Sequence, residues 1–494
     1  MAVPLSGQNR THFWSNWEWP QWLGVTGLIF LGCLNLIWPL PVLILSAALL
    51  VLLCCLIRPY AALVLTIFLF AFEGFSLVYA TGTYVLALGP GYYMGLLAFF
   101  CWCAARLAGL TAAFETTTLD LPLIILYITC IIALLWTPYL REGLPIVVLL
   151  TFCYALYIVI CGLNSTARDL EKLFWLWYGL GIFVVIASIS TFFFGWSNYF
   201  PLSDHFYFGV SITQFKGTRE SFKGFMGVPK ATATLLNISI FCGLSLLCTR
   251  VRRSSKILIF AGILSMLFIH FLAISRIEAI GLFLGWLTFA TLNPQWHNLR
   301  IRRQLTMAVT VLAVFLVVMV FLSAFYAVGV TELFARAIGQ EQTAGTGYRF
   351  SGVQSRWDHY AYALSATWET AGIGAGTGGI MRGMDPSISV DSPSFYFSFL
   401  TDHGYGILSL ILAGWLIVNL VLELRWALQN CPDPRFKIFI IGVCSALVMY
   451  GSPIADVFFY NFEMWALLGF AAVAVKAVRR LLRSSPPTLS QDLV

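Results

Sequence analysis

Arg356, His359 and Tyr360 fall at i, i+3 and i+4 in "SRWDHYAYALSATWET". On a helix that spacing puts a permanent cation, an imidazole and a hydroxyl on one face. Such a trio suits a sugar-phosphate site, because guanidinium pairs bidentately with phosphate oxygens and imidazole can move a proton near neutrality. An ordinary water-facing surface would use the same residues. Next comes "AGIGAGTGGI", whose Gly374-x-Gly376-x-x-Gly379 has the spacing of a dinucleotide fingerprint. That fingerprint needs a preceding strand, a following helix and an acidic residue roughly 20 positions on. Here an amphipathic helix precedes it, with Trp357, Ala361, Leu364 and Trp368 at helical spacing, so the nucleotide reading is rejected. Two readings stay open: a turn that ends the helix on glycine, or a nest of backbone N–H groups that cradles phosphate. After the glycines, Ser392 and Pro393 supply an N-cap and a first-turn proline, and the positive end of that helix would face the same loop.

Arg276 stands in "AISRIEAIG", at the mouth of an apolar run. An arginine beside hydrocarbon costs about 2.5–3.5 kcal/mol at mid-membrane and less at the edge. It either snorkels to lipid phosphate or grips a substrate pyrophosphate. "KGTRESFKGFMGVPK" adds Lys216, Arg219, Lys223 and Lys230. His270 falls inside an apolar run and reads as a satisfied intramembrane histidine; Glu73 and Glu463, also inside such runs, are functional by default, with partners that sequence alone does not name.

The elements that must position these residues follow from composition. The 494 residues are 60% hydrophobic and 10% charged, against about 25% charged in soluble domains. That is too little charge to wet a globule of this size, so the expected fold is an all-α polytopic membrane protein forming a single integral domain over residues 1–494. Apolar runs near 23–38, 41–57, 61–80, 84–105, 119–136, 143–162, 173–194, 231–248, 256–274, 277–292, 305–330, 404–424, 435–452 and 457–478 predict about twelve to fourteen spans. The N-terminus has no signal-peptide pattern, and Trp14, Trp17, Trp19 and Trp22 suit a membrane interface. Lys and Arg at span ends gather on one side, which predicts both termini in the cytoplasm. Two long hydrophilic segments, 195–230 and 331–403, then share the opposite face, and the second is expected to carry the active site. The 12 cysteines avoid both loops, so no disulfide staple is expected there. The net charge of +7 is spread over many loops and does not suggest nucleic acid.

Four segments together resemble the O-antigen ligase and polysaccharide polymerase (Wzy-type) superfamily of bacterial inner membranes. "KGFMGVPKATATLLN" is similar to its glycine-to-proline entry into a span, and "SRIEAIG" to its serine–arginine span start. "SRWDHYAYALSATWETAGIGAGTG" resembles its arginine, aromatic, glycine–x–glycine stretch. "SPSFYFSFLTDHGYGILSL" resembles its re-entry into the membrane, with Tyr396, Asp402 and Gly404 in the places of the usual tyrosine, acid and glycine. The similar region runs from about 215 to 425. The resemblance implies a metal-independent glycosyltransferase of surface or exopolysaccharide (O-antigen or capsule-like) biosynthesis, with no cofactor. Its donor is a glycan on undecaprenyl pyrophosphate, with a chain-length regulator and a flippase as pathway partners. By motif position, Arg276 and Arg356 hold the pyrophosphate, supported by Arg219 or Lys223; the glycine cradle at Gly374 and Gly376 would assist. The ligase branch has a histidine where Pro393 aligns, which favours a polymerase over a ligase that transfers glycan to lipid A core. Asp391, His403 and His359 are then the candidate bases. A polysaccharide or lipid transporter is the alternative from another class.

Overall fold

A computed structural model describes residues 55–72, 75–81, 84–111, 114–137, 140–193, 196–201, 206–212, 226, 229–249, 252–273, 276–293, 340–343, 347–350, 361, 364–365, 367–374, 376–377, 406–451 and 461–484. The chain divides into two units, Met1–Ala61 and Ala62–Val494. In the first, the described residues are 55–61.

Helix dominates. In chain order the helices are α1 (Pro59–Phe70), α2 (Pro90–Leu107), α3 (Asp120–Ile132), α4 (Leu140–Leu163), α5 (Ala167–Phe193), α6 (Pro229–Cys248), α7 (Arg253–Leu272), α8 (Arg276–Leu292), α9 (Gly406–Asn430), α10 (Pro434–Tyr450) and α11 (Phe462–Ser484). Among the described residues, five stretches are long and apolar enough to cross a membrane: Gly143–Leu163, Ala167–Ser190, Lys230–Cys248, Arg253–Leu272 and Gly406–Asn430. The expected spans at 23–38 and 305–330, and 41–57 up to residue 54, lie outside the described residues.

Strands are where the all-α expectation is incomplete. The hairpin β1 (Phe75–Thr81) and β2 (Tyr84–Leu88) and the hairpin β3 (Trp196–Pro201) and β4 (Phe206–Ile212) join in one antiparallel sheet of order β2-β1-β4-β3. Its central pairing sets Leu77 opposite Phe208 and Tyr79 opposite Phe206. A further hairpin pairs β5 (Gln340–Thr343) with β6 (Gly347–Phe350). The runs read as spans 61–80 and 84–105 are therefore each part helix and part strand. Hydrophobic length alone does not separate a short helix from a buried strand; "FSLVYAT" and "YVLAL" are rich in aromatic and β-branched residues, and Gly82-Thr83 between them suits a two-residue hairpin connection.

Local sequence explains the helix ends. Thr166 and Asp169 form a reciprocal capping pair before α5: the Asp169 amide donates to Thr166 Oγ1 at 3.2 Å and the Thr166 amide to Asp169 Oδ2 at 3.2 Å. Asp433 accepts from the Arg435 amide at 2.9 Å and Pro434 opens α10.

The core is built around α11. Its residues from Phe462 to Val478 are buried without interruption, the pattern of a helix surrounded on all sides. Phe470 meets Trp177 of α5 edge to face at 5.5 Å, and Trp465 meets Tyr154 of α4 at 5.8 Å. Glycine brings other helices close. A Cβ on Gly285 of α8 would stand 2.4 Å from Phe241 Cζ and 2.7 Å from the Ser445 carbonyl oxygen of α10.

At one end of the bundle charge is paired. Arg479 donates to both carboxylate oxygens of Glu423, at 2.7 and 2.9 Å, and Thr118 donates to the same carboxylate at 2.7 Å. Arg480 pairs with Glu115 at 3.0 Å. Arg106, Arg168, Arg253 and Arg435, at the termini of α2, α5, α7 and α10, lie toward this end as the helices alternate in direction.

Gly285→Leu should lower the melting temperature in detergent by an amount corresponding to about 1–3 kcal/mol, the usual cost of overpacking. Gly414→Leu, where an added Cβ meets nothing within 4 Å, should leave it unchanged. Equal effects would contradict the close α8–α10 contact.

Candidate functional site at the end opposite the basic loops

The opposite end gathers the first turns of α6, α8, α9 and α11 with the last residues of α7 and α10. Glu278 lies in the first turn of α8 and Glu463 in the first turn of α11, only 7% and 4% exposed. Each first turn offers backbone N–H groups without intrahelical partners and the positive end of the helix dipole, which favours a carboxylate there. Asn237 of α6 ties this region together by donating from Nδ2 to the Glu278 carbonyl oxygen at 2.9 Å.

Tyr450, the last residue of α10, is buried with its hydroxyl in electrostatic reach of Glu463 and Glu278 and with Asn461 beside it. Neither that hydroxyl nor Asn237 Oδ1 has a hydrogen-bond partner among the described residues. His270, in the last turn of α7, is buried beside Ala233 of α6, and neither ring nitrogen has such a partner. Chemically, this is a layer of acceptors and one phenol sealed among apolar helices. It can exchange a proton or hold a hydroxyl group.

The glycine-rich segment lies at the same end, and its conformation is set by a helix stop. The Gly372 amide donates to the Thr367 carbonyl at 2.8 Å and the Ala371 amide to the Trp368 carbonyl at 3.0 Å. This is the paired six-to-one and five-to-two closure that ends many helices with a left-handed residue. That residue is Ala371, at φ 54°, not a glycine. Gly372, Gly374 and Gly376 follow at φ 86°, 78° and 80°. The Gly374 amide is taken by Thr370 Oγ1 at 2.9 Å. Thr377 Oγ1 donates to the Cys130 carbonyl of α3 at 2.8 Å. The Ile407 amide of α9 donates to the Gly372 carbonyl at 3.0 Å. A Cβ on Gly376 would crowd the Ala133 carbonyl at 3.0 Å. The glycines thus let the chain lie flat on the ends of α3 and α9.

Of the residues singled out in the sequence, Arg276 opens α8, and Gly374 and Gly376 sit in the docked turn. His359, Arg356, Arg219, Lys223, Asp391 and His403 lie outside the described residues. The sequence reading did not single out Tyr450, Asn237 or Glu278 as site residues. The available signal was an acid in the first turn of an apolar helix, seen twice. No protein-family model matches the chain, and neither does any curated protein. The class that the fold defines is a multi-helix protein with, among the described residues, five helices long and apolar enough to span a membrane.

Two substitutions test this geometry. Ala371→Gly should raise stability by about 1 kcal/mol, because glycine carries no Cβ penalty in the left-handed region; a lower melting temperature would contradict the helix stop. Tyr450→Phe should leave stability equal or higher by about 1 kcal/mol, since it removes a buried hydroxyl that lacks a partner. A loss of that size would mean the hydroxyl is bonded.

Proposed function

We propose that the chain is a polysaccharide polymerase of the bacterial inner membrane, multi-pass with both termini cytoplasmic. It joins lipid-linked repeat units at the periplasmic face, within the O-antigen ligase and polymerase superfamily. An acceptor sugar hydroxyl attacks the anomeric carbon of a glycan carried on undecaprenyl pyrophosphate. The new carbon–oxygen bond forms as the bond to the diphosphate oxygen breaks. Undecaprenyl pyrophosphate leaves, and the hydroxyl proton passes to a carboxylate or imidazole.

The observation that supports this reading is the position of Arg276. It is the first residue of α8, at the end of the bundle opposite the paired arginines, where the glycine turn docks. A guanidinium at a helix start adds its charge to the positive helix end, and both favour a dianionic leaving group. Arg356 completes the grip, with Arg219 and Lys223 in support. Asp391, His403 and His359 are the candidate bases. The glycine turn, with Gly374 and Gly376, gives the loop a rigid footing beside α9.

The test is chain growth by the purified protein in liposomes supplied with lipid-linked repeat units. Growth should proceed without lipid A core. Arg276→Ala and Arg276→Lys should each lower the rate by roughly 10²–10³-fold, the cost of losing one transition-state donor, with melting temperature unchanged. Transfer that requires lipid A core would mean a ligase. Lipid translocation without bond formation would mean a transporter.

A further inference from the structure

The helical residues 361, 364–365 and 367–369 turn their apolar side chains away from the protein. Trp368 is 87% exposed, Leu364 is 54% exposed four residues earlier, and Ile373 beyond the turn is 48% exposed. Burial in the protein would hide such side chains, and a wholly aqueous loop has no use for a tryptophan with Leu364 one helical turn away.

What covers them follows from where they stand. The turn after Trp368 is fixed to the first residues of α9 through the Ile407 amide and the Gly372 carbonyl. A Cβ on Gly406 would lie 2.8 Å from the Ile373 carbonyl carbon. From that point Ile407, Ile411 and Val418 form an exposed apolar stripe down α9, one of the five helices long and apolar enough to span a membrane. A stripe of that kind on a span faces acyl chains. The exposed face of 364–373 therefore continues the lipid-facing surface at its upper edge, where the headgroups begin. Tryptophan is enriched at that depth because its ring is apolar while its N–H stays wet. Glu369 and Ser365, also exposed, supply polar atoms beside it.

We propose that residues 364–373 form an interfacial anchor, with Trp368 seated in the headgroup layer of the bilayer and the docked glycine turn holding it at that depth. The partner is the phospholipid surface. This inference rests on the membrane setting and does not depend on the transferase reading.

The test uses the full chain in nanodiscs made with a phospholipid bearing a diazirine at the glycerol end of one acyl chain. After illumination, peptides are mapped by mass spectrometry. The wild-type peptide containing 364–373 should carry lipid adducts. Trp368→Glu should reduce them at least about tenfold, equivalent to 1.4 kcal/mol in partitioning. The side chain makes little contact with the protein, so this substitution should not alter folding. Trp368→Tyr should retain the adducts, because tyrosine shares the interfacial preference. Three outcomes would overturn the proposal: absence of adducts on the wild type while water-borne hydroxyl radicals oxidise Trp368, adduct yields unaffected by Trp368→Glu, or cross-links from this peptide to a second copy of the chain.

Discussion

Arg479 and Glu423 meet at 2.7 Å across two helices, and the condition they satisfy governs the rest of the molecule. A charge surrounded by apolar helices is tolerated only beside an opposite charge, at a helix end or against an aromatic face. The described charges obey this. Arg480 takes Glu115. Lys476, 2% exposed, donates to the Cys161 carbonyl at 3.2 Å and lies 4.5 Å from the centre of the Phe114 ring. Glu278 and Glu463 occupy the first turns of their helices. The two ends of the bundle therefore differ in kind. One is cross-braced by ion pairs, and the other brings together two buried carboxylates, a phenol and an imidazole.

That asymmetry bears on function. Ion pairs between the α11 and α9 ends restrict movement there, whereas polar groups with unused hydrogen-bonding capacity are costly unless they serve recognition or proton transfer. The glycine turn belongs to the second end and contributes geometry. Successive left-handed residues let its backbone press against the Ala133 carbonyl and the start of α9, which no residue with a side chain at Gly406 or Gly376 would allow. It fixes the described residues 370–377 against the ends of α3 and α9.

Much of the helical plan was legible in the sequence, because an apolar run such as Gly143–Leu163 or Arg253–Leu272 has one economical solution in lipid. The strands were not: β1 pairs with β4 across more than a hundred residues, and no local pattern encodes that partner. The helix stop was half legible. Glycine spacing marked a turn, but the left-handed position fell on Ala371, set by the hydrogen bonds to Thr367 and Trp368. Arg276 was visible as an arginine at the mouth of an apolar run. Tyr450 and Asn237 were not, since their significance arises only when α6, α8 and α10 come together.

The most direct measurement is equilibrium binding of undecaprenyl pyrophosphate to the reconstituted full chain. The account predicts saturable binding that weakens at least about tenfold in Arg276→Ala and is unchanged in Arg425→Ala, at the braced end. Equal affinity in wild type and Arg276→Ala, or loss in both variants alike, would contradict a diphosphate site at the start of α8.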